Sequence, residues 1–126
     1  PPIITPTVPA PARPRGLVTV TTDSDGTVWR IDADSVKGGQ KERLVWQIRD
    51  HSKDKTVALR SSHELWQIDC STTGTKVLSR VQYDRKDRPL RPAPSDAGEA
   101  VEYYPPGTLA ASVVNEACKP IYDPPE

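Results

Sequence analysis

Proline divides this chain more sharply than any other residue. Six of its 14 prolines fall between Pro1 and Pro14 and the other eight between Pro89 and Pro125, which leaves residues 15–88 without one. A sheet held by backbone ladders has no place for proline inside its strands, so the strands are expected in that window. Residues 1–15 then read as an extended, polyproline-like arm, a solvated spacer or a tether. The 126 residues leave room for one hydrophobic core.

Within the window the pattern has period two. Trp29-Arg30-Ile31, Trp46-Gln47-Ile48 and Trp66-Gln67-Ile68 repeat an apolar-polar-apolar step, which places Trp and Ile on one strand face and the residue between them on the other. Leu17 to Thr22 adds a β-branched run, and Val77, Val81 and Tyr83 are expected to share a face of residues 76–83. Asp23-Ser24-Asp25-Gly26, Gly38-Gly39 and Thr73-Gly74 supply short turns, which demand antiparallel neighbours. One helix is signalled, and it comes last. From Leu109 to Cys118 the apolar residues Leu109, Ala110, Val113, Val114, Ala117 and Cys118 cluster on one side, with Thr108 able to cap the start and Pro120 to stop the end. Such a helix needs a surface to rest on, and the Trp and Ile face of the sheet offers one. The expected fold class is therefore α+β, an antiparallel sheet with a C-terminal helix packed across one face.

The two cysteines bear on the same interface. Cys70 follows Trp66 and Ile68 at period two, and Cys118 lies on the apolar arc of the helix. A disulfide between them is expected, against the alternative of a reduced buried pair. The bond would stabilise the fold by roughly 4 kcal/mol through loop closure and would imply an oxidising compartment.

Several chemistries are disfavoured. Lys plus Arg and Asp plus Glu balance at 17 each, so no global field gathers nucleic acid or anionic membrane, and no stretch approaches the roughly 20 apolar residues of a membrane span. Asp23-Ser24-Asp25-Gly26-Thr27-Val28 imitates the aspartate loop of haloacid-dehalogenase-like phosphatases, but a doubly wound sheet would need more helices than this chain has, and a hairpin turn explains the same letters. That stretch also falls short of a calcium-loop pattern. His51 and His63 are expected at the surface and not on a metal, no glycine elbow presents a serine, and no C-x-x-C occurs. No cofactor, metal or catalytic residue is assigned, and a non-enzyme is expected.

Two features suggest a partner surface. Lys53, Lys55, Arg60 and Arg80 belong to basic clusters diluted by aspartates. On the strand face opposite Trp and Ile, Val28, Val45, Leu65 and Leu78 are expected to form an apolar stripe if the strands register so, with Arg30, Gln47, Arg49, Gln67 and Arg80 as its rim.

The chain resembles the bacterial surface-adhesin protein E family. The resemblance is carried by Ile31-Asp32-Ala33-Asp34-Ser35-Val36, by Arg60-Ser61 leading into Leu65-Trp66-Gln67-Ile68-Asp69-Cys70, and by Pro106-Gly107-Thr108-Leu109 opening a helix that ends in Ala117-Cys118. It covers about residues 16–120 and leaves 121–126 as a tail. It implies a six-stranded antiparallel sheet with the helix tethered by Cys70 and Cys118, in a protein that is periplasmic, outer-membrane-associated or at the bacterial cell surface. The family's namesake adheres to host matrix proteins through a region similar to Lys53 to Arg80, where Arg60, Ser61 and Cys70 match. The namesake also carries a lipid-anchoring cysteine near its start, whereas no cysteine precedes Cys70 in this sequence, which opens with proline and reads as a mature or trimmed form. The expected function is a non-enzymatic, adhesin-like binding module with a protein partner, either a host matrix protein or an envelope subunit. The alternative is a structural or accessory subunit of an envelope assembly, and self-association stays open.

Overall fold

The structure is a computed structural model describing residues 12–90 and 100–124. Six strands follow one another, β1 (Leu17–Thr22), β2 (Val28–Lys37), β3 (Arg43–Asp50), β4 (Leu59–Asp69), β5 (Gly74–Asp84) and β6 (Pro89–Leu90), and then come α1 (Leu109–Ala117) and a 3-10 turn (Pro120–Tyr122). Each strand pairs antiparallel with its chain neighbour in the order β1-β2-β3-β4-β5-β6. Five strands lie inside the proline-free window, and the sixth begins with Pro89 at the sheet edge, where its missing N–H breaks no central ladder.

The turns follow their chemistry. Asp23 Oδ1 accepts from the backbone N–H groups of Asp25 and Thr27 and closes the β1–β2 hairpin. Gly38 has φ +83, and a Cβ there would stand 2.1 Å from Glu42 O, so the β2–β3 turn requires glycine. Thr108 caps α1 by accepting from Ala111 N–H.

Register decides which residues face the helix. Ile31 pairs with Gln47 and Gln47 with Glu64; Val45 pairs with Trp66, and Arg43 with Ile68. These share the inner face, where α1 packs over β1, β2 and β3 and buries Ile31, Ala33, Val45, Trp66 and Ile68 against Val113, Val114 and Ala117. The Cys70–Cys118 disulfide joins the end of β4 to the end of α1. Residues 121–123, expected as tail, are part of the fold: Tyr122 is buried in the core and Asp123 pairs with Arg43.

Glu64 is buried at the polar end of the inner face. Its carboxylate meets Arg49 at 2.8 Å and Arg80 at 2.5 Å and accepts from Trp66 Nε1 at 3.0 Å, which spreads one buried charge over two guanidinium groups and an indole. Arg49 also lies over the Trp29 ring, 5.0 Å from its centroid.

Two expectations about facing need correction. β3 runs in the opposite phase from its look-alikes, so Val45 is fully buried under the helix while Trp46 and Ile48 face outward. Gln47 and Arg49, expected on the outer rim, therefore lie inside. In β5 the pairing skips Leu78 between Val77 opposite Trp66 and Ser79 opposite Leu65, and this bulge shifts the alternation. Val77 thus faces inward and Val81 and Tyr83 outward, and Arg80 turns inward to Glu64. Of the expected arm, residues 1–11 lie outside the described residues. Arg13 donates to Val36 O and lies 6.0 Å from the Tyr122 ring centroid, while Arg15 pairs with Asp34.

Candidate functional site

The outward face is built from three neighbouring cross-strand rows. Asp32, Trp46, Leu65 and Ser79 form one, Arg30, Ile48, His63 and Val81 the next, and Val28, Asp50, Ser61 and Tyr83 the third. Trp46, Ile48, Leu65 and Val81 are half-buried by one another, and among the described residues no element packs over them. His63 meets Tyr83 edge-on, ring centroids 5.0 Å apart, and burial pushes its imidazole below the usual histidine range. Arg30 bridges to Asp50 at 2.6 Å across the upper rows. Burial would raise the Asp50 carboxyl, but hydrogen bonds from Ser52 and the Arg30 guanidinium outweigh it and hold the group at about 2.

The expected stripe is thus redrawn. Val28 and Leu65 do face outward, Leu78 is exposed at the bulge, and Val45 is absent from the face altogether. Sequence reasoning missed Trp46, Ile48, His63, Val81 and Tyr83. The pairing Asp32 to Trp46, which fixes the phase of β3, is a matter of register and has no signature in the residues themselves.

At one end of the sheet the β1–β2, β3–β4 and β5–β6 connections come together. Lys53 and Lys55 are exposed on the β3–β4 loop, and Arg60 at the start of β4 is exposed and pairs with Asp87 at 3.4 Å. Arg80 stands apart, on the inner face. The β3–β4 loop is held rigidly: Arg85 donates to the carbonyls of His51, Ser52, Asp54 and Val57.

Beneath the loop runs a buried polar chain. Thr27 Oγ1 donates to Asp54 Oδ2, so His51 Nδ1 must carry the proton that Thr27 Oγ1 accepts, at 2.8 Å, and His51 Nε2 accepts from Ser62 at 3.0 Å. His51 is buried, contrary to the surface position expected from its charged neighbours. Burial and the cations Arg49 and Arg85 push its imidazole down, opposed by Asp54 and Asp23. The carboxylates of Asp23, Asp25 and Asp54 lie within 4.8 Å of one another. Thr27 and Thr56 already donate to the Asp54 oxygens, and backbone N–H groups to Asp23, so the cluster ties loops together.

A meander with a helix stapled to one face and, among the described residues, nothing packed on the other defines a small disulfide-bonded domain of the extracytoplasmic kind. The chain belongs to the surface-adhesin protein E family, whose model matches residues 17–119. The family is one of adhesins and not of catalysts, and on that ground the chain is a non-enzymatic protein. Two structures of Haemophilus influenzae protein E, the first of them crystal form II, share the fold. One has a TM-score of 0.61 at 15% identity, covering 91% of this chain and 96% of that one. The other has a TM-score of 0.59 at 15% identity, covering 92% and 90%. Protein E from non-typeable Haemophilus influenzae superposes with a TM-score of 0.55 at 14% identity, covering 89% and 81%. Among curated proteins no sequence matches the chain.

Proposed function

We propose that this domain is a protein-capturing module at the periplasmic or outer surface of the bacterial envelope, and that it binds through its outward sheet face. The observation that carries the reading is the phase of β3. That strand turns Leu44, Trp46 and Ile48 outward and keeps Arg43, Val45 and Gln47 inside. A domain that placed its more apolar set toward solvent would gain nothing from burial; one that covers that set with a partner recovers it. Val28, Leu65 and Val81 extend the patch, and Lys53, Lys55 and Arg60 lie at its loop end, where they favour a partner with acidic groups at the rim.

The test is binding of the full chain to an immobilised extracellular-matrix extract, with Trp46→Arg and Leu65→Arg as variants. Both positions avoid the helix side, so each variant is expected to fold and to bind about tenfold more weakly, near 1 to 2 kcal/mol. Unchanged binding by a folded double variant would rule out this face. The reading as an envelope-assembly subunit predicts instead a single stoichiometric bacterial partner crosslinked at the same face in native envelopes, and no capture of matrix.

A further inference from the structure

The β2–β3 turn, the β4–β5 turn and residues 101–103 enclose a groove of about 340 Å³, within the roughly 300 to 1,000 Å³ range of small-molecule sites. Its dominant feature is Tyr103, which is 62% exposed and yet fixed in place. Glu102 and Thr75 exchange both backbone hydrogen bonds, at 2.9 and 2.8 Å, and so pin the segment to the edge of β5. The ring then sits directly on Gly74: a Cβ there would lie 3.2 Å from Tyr103 Cε1 and 2.8 Å from Val101 Cγ1. An aromatic ring that is held rigidly and left open offers a flat apolar platform at little further entropic cost.

The walls around this platform are polar and balanced. Gln67 Nε2 donates to Glu42 Oε1 at 2.8 Å, so two planar groups stand side by side. Asp69 is oriented by hydrogen bonds from Ser71 N–H and Oγ. Lys41 and Lys76 complete the lining, so two cationic and two anionic side chains leave no net charge among the groove's side chains. A charged ligand finds no field to favour it there, whereas hydroxyl groups, each both donor and acceptor, can pair with every wall.

We infer that this groove is a carbohydrate site taking a neutral sugar, whose C–H face stacks on Tyr103 while its hydroxyls bond to Gln67, Glu42, Asp69, Lys41 and Lys76. The site does not depend on the protein-binding reading of the outward face. Saturation-transfer NMR on the full chain tests it, with chitotetraose, cellotetraose and mannotetraose as probes. At least one is expected to receive saturation on its ring protons, with affinity falling about tenfold in Tyr103→Ala, recovering in Tyr103→Trp, and holding in a Leu17→Ala control at the far edge. Overturning results are three: no transfer to any probe at millimolar concentration, equal transfer in Tyr103→Ala, or binding of a sulfated heparin hexasaccharide alone.

Discussion

Arg43, fully buried at the start of β3, donates to the Asp123 carboxylate beyond the end of the helix, eighty residues along the chain. The same guanidinium donates to Ala117 O at 3.0 Å and to Lys119 O at 3.3 Å, so one cation closes the C-terminal end of α1 and fastens the chain after it. The arrangement satisfies the Ala117 carbonyl at the end of the helix and places positive charge at the negative end of the helix dipole. Asp123→Ala should leave the buried guanidinium without its counter-charge and lower the urea midpoint of unfolding below that of the wild type. A loss no greater than that of an exposed surface substitution would contradict this role.

The parts of the fold that were legible in the sequence are those with a chemical signature. The proline-free window bounded the main strands, turn residues fixed the antiparallel meander, and Thr108 with Pro120 bracketed the helix. The phase of β3 had no such signature, because Trp46-Gln47-Ile48 reads the same as its two siblings while the register turns it over. Hydrophobicity pointed the wrong way there: the buried set holds an arginine and a glutamine. Arg43 could not be recognised as interior, since its partners come from the far end of the chain. The bulge at Leu78 was equally silent, and with it the inward turn of Arg80.

The Cys70–Cys118 bond closes the sheet to the helix across a sequence separation of 48. Because α1 has only nine residues, too few to persist alone, its docking depends on the tether and on Val113, Val114 and Ala117. Replacing both cysteines with serine should cost about 2 to 5 kcal/mol, read by thermal unfolding followed by circular dichroism. Labelling of the denatured, unreduced wild type should find no free thiol.

Gln47 is fully buried on the inner face, and among the described residues neither polar atom of its side chain has a hydrogen-bond partner. A desolvated amide without partners is unfavourable, so Gln47→Leu, similar in size and apolar, should raise stability by about 1 to 3 kcal/mol. A loss of stability in that variant would show that the amide is satisfied in solution by a group such as a bound water.

Acid should weaken the fold in two windows. The first belongs to the histidines. Both His51 and His63 are pushed below the ordinary value of 6.5, His51 by burial and by Arg49 and Arg85 against the pull of Asp54 and Asp23, His63 by burial. The unfolded chain therefore takes up protons first, and the stability of the folded state is full above pH 6.5 and declines as pH falls below it. Protonating His51 would also place a third cation beside two guanidinium groups at the base of the loop that carries Lys53 and Lys55. The second window belongs to carboxyls held below their ordinary value of 3.8, with Asp54, Asp69, Asp84 and Asp123 lowered by hydrogen bonds and Asp50 held at about 2. The Asp50 contribution is complete above pH 3.8 and is lost as pH falls through 2, when the Arg30 bridge and the Ser52 hydrogen bonds lose their charge. Histidine Hε1 titration by NMR separates the windows: both imidazoles should titrate below 6.5, and Asp50→Asn should make only the more acidic limb of the stability curve shallower. An imidazole titrating at or above 6.5 would contradict its burial, and an acidic limb unchanged in Asp50→Asn would remove the Arg30 bridge from the account.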